Sequence, residues 1–133
     1  MTRRCYLDTS ALRHLLSPGP RTAKITSVVT DPQITCVSSQ ITVTELHRTA
    51  LIASRLSPRE VDQVLNHVDL VPLDLEQLRR AGLLPHLPSG VQLRSLDALH
   101  LQAALDVGAT EFLTSDKRQA KAAKAAGLTV TLL

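Results

Sequence analysis

The chain has 133 residues, of which 44% are hydrophobic and 20% charged, with five Gly and seven Pro. This is globular composition at a length suited to a single domain over residues 1–133, and it argues against a disordered, collagen-like or membrane-spanning chain. A net charge of +3 tolerates a polyanionic partner without demanding one, and 2% aromatic content argues against a single-strand binder built on stacked bases.

In chain order, the apolar run Arg4–Leu7 predicts a first strand and Ser10–Leu16 a helix, closed by Ser17-Pro18-Gly19-Pro20. A helix over Ala23–Thr30 stops at Asp31-Pro32, and Ile34–Val37 reads as the second strand. Helical periodicity covers Gln40–Ser54 and Pro58–Asn66, followed by a third strand at Val68–Leu73. Leu75–Leu84 reads as a helix ending at the Pro85-His86-Leu87-Pro88-Ser89-Gly90 break. Leu96–Val107 is helical up to Gly108, Glu111–Thr114 is a strand, Lys117–Ala126 a helix up to Gly127, and Thr129–Leu132 the last strand. Strands alternating with helices imply right-handed crossovers. The expected fold is α/β: three α/β/α layers around a mostly parallel, roughly five-stranded sheet. Cys5 and Cys36 lie in strand runs and read as small buried hydrophobes, with no Cys-x-x-Cys for zinc or redox work. The first strand starts within a few residues of the N-terminus, so we expect no signal peptide and a cytoplasmic protein.

Ligands of open parallel sheets gather outside the carboxyl ends of the strands, so chemistry is sought there. Asp8 follows the first strand, and Asp116 follows the strand Glu111–Thr114. Each also fits an N-cap, which accepts a bond from an orphan amide. Asp97 opens the helix Leu96–Val107, where a negative charge suits the helix dipole; it shares a face with Leu101 and Ala104. Glu45 lies in a stripe with Ile41 and Ile52, beside the stripe Val43, Leu46, Ala50, Ala53. A carboxylate on an apolar face needs a partner. Folded into one sheet, the four acids would converge at one edge. Like charges held together call for a counter-charge, and oxygen-only donors favour Mg²⁺ or Mn²⁺ over Zn²⁺. Such ions activate water for attack on a phosphodiester.

At these residues the sequence resembles the PIN-domain ribonucleases. The match consists of Leu7-Asp8-Thr9-Ser10-Ala11-Leu12, Ile41-Thr42-Val43-Thr44-Glu45-Leu46 after Ser38-Ser39, Leu96-Asp97-Ala98-Leu99-His100-Leu101, and Leu113-Thr114-Ser115-Asp116-Lys117-Arg118. It spans essentially the whole chain, and the compact size is most similar to VapC-type toxins of type II toxin–antitoxin pairs. The resemblance implies a Mg²⁺- or Mn²⁺-dependent endoribonuclease that leaves 5′-phosphate and 3′-hydroxyl ends and is neutralised by a small antitoxin. It carries over Asp8, Glu45, Asp97 and Asp116 as catalytic acids. Asp8, Asp97 and Asp116 are the implied metal ligands, with Thr114 in support through its hydroxyl. Some relatives carry a further acid after the fourth, where this chain has Lys117-Arg118-Gln119.

Lys117, Lys121 and Lys124 form one helical stripe that reads either as a solvated face or as an RNA-phosphate contact. The five histidines, His14, His47, His67, His86 and His100, read as packing or surface residues, although His100 lies one turn beyond Asp97. The apolar runs Ala23–Val29 and Leu75–Leu87 suit a homodimer or antitoxin surface, or ordinary packing. Rival readings are a housekeeping RNA-processing nuclease of the same family and a catalytically silent binding module. A phospho-receiver domain needs an acidic pair after the first strand and an Asp after a central one. Here Asp8 stands alone, and Asp74 follows a Pro72-containing run.

Overall fold

The computed structural model describes residues 3–84 and 92–133, so the Pro85–Gly90 break, His86 and the end of the Leu75–Leu87 run lie outside the described residues. The described strands are β1 (Arg3–Leu7), β2 (Ile34–Ser39), β3 (Asp69–Val71), β4 (Glu111–Thr114) and β5 (Thr129–Leu132). They form one sheet in the order β3-β2-β1-β4-β5, parallel at every pairing. Because β1 is central, the residue that follows it stands at the middle of the sheet's carboxyl edge.

The described helices are α1 (Thr9–Leu12), α2 (Thr22–Val29), α3 (Ile41–Thr49), α4 (Pro58–Leu65), α5 (Leu75–Ala81), α6 (Ser95–Asp106) and α7 (Lys117–Ala125). Alternation along β1 sends Cys5 and Leu7 to one face of the sheet and Tyr6 to the other. On the first face they meet Leu12, Ile25, Leu46 and Val61, so α1 to α4 cover it. On the second, Tyr6 joins Ala81, Leu101, Phe112 and Ala122 beneath α5 to α7. The three layers and the parallel five-stranded sheet are as the sequence predicts. Tyr6 and Phe112, the chain's only aromatics, stack at 5.2 Å between centroids inside the core. Cys5 and Cys36 are adjacent in the sheet, buried, and not joined by a disulfide. Burial drives both thiols upward, Cys36 to about 11.

Three elements depart from the sequence pattern. β3 is shorter than Val68–Leu73, because Pro72 has no amide for the ladder. The Ser10–Leu16 helix is one α turn followed by a 3-10 turn at Arg13–Leu15. The Gln40–Ser54 helix changes to π geometry at Ala50–Ser54 and ends at Arg55, whose φ of 52° is left-handed. The wider π turn rotates the face, so Ile52 and Ala53 point outward; Leu51 and Ile52 are 74% and 69% exposed. Among the described residues no helix is long and apolar enough to cross a membrane.

A left-handed non-glycine residue costs ~1–2 kcal/mol, part of which glycine gives back as unfolded-chain entropy. Arg55→Gly is therefore expected to raise the unfolding temperature by about 2–4 °C in calorimetry. An unchanged or lower value would contradict the strain assigned to Arg55.

Candidate active site

Four chain segments bring the acids together. The end of β1 delivers Asp8 and, through α1, Thr9 and Ser10. The helix after β2 carries Glu45, while α6 and the end of β4 supply Asp97 and Asp116. All four acids line one cavity of about 420 Å³, with Thr9, Ser10, Arg13, Thr44, Arg48, Thr49, Leu96 and His100.

Asp8 is 4% exposed and does cap α1, accepting from the Ala11 amide at 3.1 Å. Its carboxylate also accepts from the Ser10 and Thr114 hydroxyls, each at 2.6 Å. Burial raises the Asp8 carboxyl, against the pull of His100 and these donors. Ser10 in turn accepts from the Ser115 amide at 2.8 Å, tying α1 to the end of β4. Asp116 caps α7 through the Arg118 and Gln119 amides. The cap and cavity readings of these two acids therefore hold together. Ser38 and Ser39 end β2; the Ser38 hydroxyl donates to the Leu7 carbonyl at 2.7 Å, and the Ser39 hydroxyl accepts from the Ile41 amide at the start of α3.

Asp97 and Glu45 have opposite fates. Asp97 is half-buried, and its carboxyl is raised by burial first, then by Asp116, with Asp8 and Glu45 adding repulsion and His100 opposing. Burial also opposes the charge of Glu45. The hydrogen bond and attraction of His100, together with the Thr9 hydroxyl, outweigh it, leaving this carboxyl below its ordinary value. The contacts are short: His100 Nε2 and Thr9 Oγ1 lie 2.6 and 2.7 Å from Glu45 Oε1. On its other side His100 Nδ1 lies 2.6 Å from the Tyr6 hydroxyl. Through Nε2 the ring donates to Glu45, and through Nδ1 it pairs with the Tyr6 hydroxyl.

Residues 5–125 match the family model of the PIN domain. The chain belongs to the PIN-domain family. No curated protein matches it in sequence. Among solved structures it is similar to VapBC2 from Rickettsia felis, bound to a DNA fragment from their promoter, at 15% identity, TM-score 0.70, covering 96% of this chain and 97% of that one. It is also similar to a toxin–antitoxin complex from Klebsiella pneumoniae at 22% identity, TM-score 0.64, over 86% and 88% of the two chains. FitAcB from Neisseria gonorrhoeae follows at 18% identity, TM-score 0.67 and 95% of each chain. At these identities the likeness is one of fold.

PIN domains are generally nucleases and typically metal-dependent. Among the described residues no three of His, Cys, Asp and Glu stand close enough to hold an ion as they are. The donor chemistry nevertheless fits a hard divalent cation: the lining offers carboxylates and hydroxyls without a thiolate, and mutual repulsion already loads Asp97. The structure thus gathers every acid that the sequence singles out, with Thr114 bonded to the first. Lys117, Lys121 and Lys124 are exposed on α7 and are not part of the cavity lining.

His100 goes further than the sequence suggests. It is packed, at 2% exposed, and it also touches the acids. Its spacing of three from Asp97 was the available signal. Sequence reasoning left Arg13 among scattered arginines on no one surface and missed Arg48, although they lie four and three residues beyond the lining residues Thr9 and Glu45. Gln119 was also missed. Fully buried, it donates from Nε2 to the Asp97 carbonyl at 2.9 Å while its own amide binds Asp116, and so it sets the two acids relative to each other. Asp74, the acid a phospho-receiver reading would need, caps α5 behind the edge strand β3.

The shift of Asp97 and the Tyr6–His100 bond each generate a prediction. A raised carboxyl favours folding below the ordinary carboxylate range and loses that contribution as pH rises through its own pKa. In chelator at pH 7, Asp97→Asn is expected to unfold about 1–3 °C above wild type, a small gain because solvent screens a half-exposed charge, and the gap should close below about pH 4. A variant that is no more stable at pH 7 would remove the repulsion from the account. Secondly, Tyr6→Phe and His100→Gln should be coupled by about 0.5–3 kcal/mol in a denaturation double-mutant cycle. Strict additivity would mean that the Tyr6–His100 bond contributes nothing.

Proposed function

We propose that the protein is a Mg²⁺- or Mn²⁺-dependent endoribonuclease and the toxin of a type II toxin–antitoxin pair, acting in the cytoplasm. The observation that carries this reading is the meeting of Asp8, Glu45, Asp97 and Asp116 in one cavity at the carboxyl edge of the sheet. Asp8, Asp97 and Asp116 are the residues that would hold the ion, and Thr114 keeps the Asp8 carboxylate in place. A divalent ion bound there supplies Lewis-acid polarisation and a counter-charge to the developing phosphorane. Glu45, kept ionised by His100 and Thr9, orients the attacking water and takes its proton. Water attacks the phosphorus, the bond to the 3′-oxygen breaks, the departing 3′-oxygen takes a proton from solvent, and the products carry a 5′-phosphate and a 3′-hydroxyl.

The toxin part of the reading is supported by the fold shared with the Klebsiella toxin–antitoxin complex. Leu96, 48% exposed on the cavity lining, offers an apolar anchor to a small antitoxin that covers the acids. The exposed Leu75, Leu78 and Leu83 suit a homodimer, which light scattering of the purified chain would read out.

The test compares cleavage of a labelled structured RNA pool by wild type and Asp97→Asn, purified identically, with Mg²⁺, Mn²⁺ or chelator. Cleavage is expected only with metal, and the substitution is expected to reduce it by about 100-fold or more. Activity that survives either the chelator or the substitution would sink the assignment. A folded, antitoxin-free wild type that cuts nothing would favour a silent binding module.

A further inference from the structure

The cavity lining is anionic overall, with four carboxylates against the two guanidinium groups of Arg13 and Arg48. Cations beside such a cluster would be expected to pair with it. Among the described residues neither guanidinium makes a hydrogen bond or an ion pair, with Asp8, Glu45, Asp97, Asp116 or any other group. Elsewhere three of the described arginines do find carboxylates: Arg3 bonds Glu111, Arg79 meets Glu76 and Arg80 bonds Asp106. The two lining arginines are also the exposed members of their helical faces. Thr9 and Glu45 are half-buried, whereas Arg13 and Arg48, about one turn further along, are exposed. They come from separate elements, the 3-10 turn after α1 and the end of α3. Two free planar forks beyond the acids, on two walls of one cavity, suit oxyanions on either side of the group that the acids handle.

We propose that Arg13 and Arg48 hold the backbone phosphates flanking the cleaved one, and that they, rather than the lysine stripe of α7, set the path of the RNA strand. The proposal rests on the nuclease reading and adds to it the residues that grip the substrate. Phosphate contacts position a strand without reading its bases, so these arginines contribute affinity and register rather than sequence preference.

The experiment measures binding of a fluorescein-labelled single-stranded RNA of about 12 nucleotides by anisotropy, in Ca²⁺, across a KCl series. For single strands each phosphate contact contributes ~0.7 to the slope of log affinity against log salt. Arg13→Gln and Arg48→Gln are each expected to lower that slope by about 0.7 and to weaken binding about 3- to 10-fold at low salt. Arg48→Lys should keep the slope but recover only part of the affinity, because it retains the charge and loses the fork. Lys24→Gln, an equal charge change on exposed α2, serves as the comparator and should leave both quantities at their wild-type values. If wild type binds RNA and the arginine variants behave like Lys24→Gln, this proposal fails while the nuclease reading stands. If wild type binds no RNA, both fail together.

Discussion

A carboxylate buried at the end of a central strand must find donors nearby, and the surroundings of Asp8 are arranged to meet that need. Its oxygens take the Ser10 hydroxyl, the Thr114 hydroxyl and the Ala11 amide, two from the turn that follows and one from the neighbouring strand. Thr114 also accepts from the Asp116 amide at 3.0 Å, so fixing Asp8 places the next acid as well. One desolvated charge thus sets the entry of α1, the exit of β4 and the start of α7. The cavity is what lies between them.

Across the cavity a second chain of bonds runs through the protein. Tyr6 is anchored by stacking on Phe112; it holds His100, and His100 holds Glu45. The core therefore reaches the cavity through one histidine ring. The same lining that keeps Glu45 ionised leaves Asp97 raised by burial and its neighbours, so two carboxyls of one cavity are driven apart in proton affinity. Separation of that kind divides acid–base duties between otherwise similar groups. It also makes the cavity a place where folding stability is given up at neutral pH.

Much of this was legible in the sequence, for identifiable reasons. Short apolar runs mark parallel strands because both faces of the sheet are covered, and the rule that ligands sit at strand ends directs attention to Asp8 and Asp116. Glu45 was found for a partly mistaken reason. Its supposed companion Ile52 is turned to solvent by the π turn, a change of period that no residue pattern announces. The half-burial and bonding of Glu45 come instead from Thr9 and His100, which lie 36 and 55 residues away in sequence. Partners at that distance are set by tertiary packing. Exposed arginines on short helical turns carry no periodic signal, so Arg13 and Arg48 emerge only once the cavity has walls.

The bond between Asp8 and Thr114 spans 106 residues of sequence. Chains are synthesised from the N-terminus, and a contact so far apart in sequence cannot form until both of its ends have been made. During translation the first carboxylate therefore leaves the ribosome well before the hydroxyl that holds it. A nascent chain lacking β4 has neither Thr114 nor Asp116, and one that stops short of α6 also lacks His100, the partner of Glu45. Any chemistry of this cavity is withheld until nearly all the described sheet has been made, a built-in delay between synthesis and action.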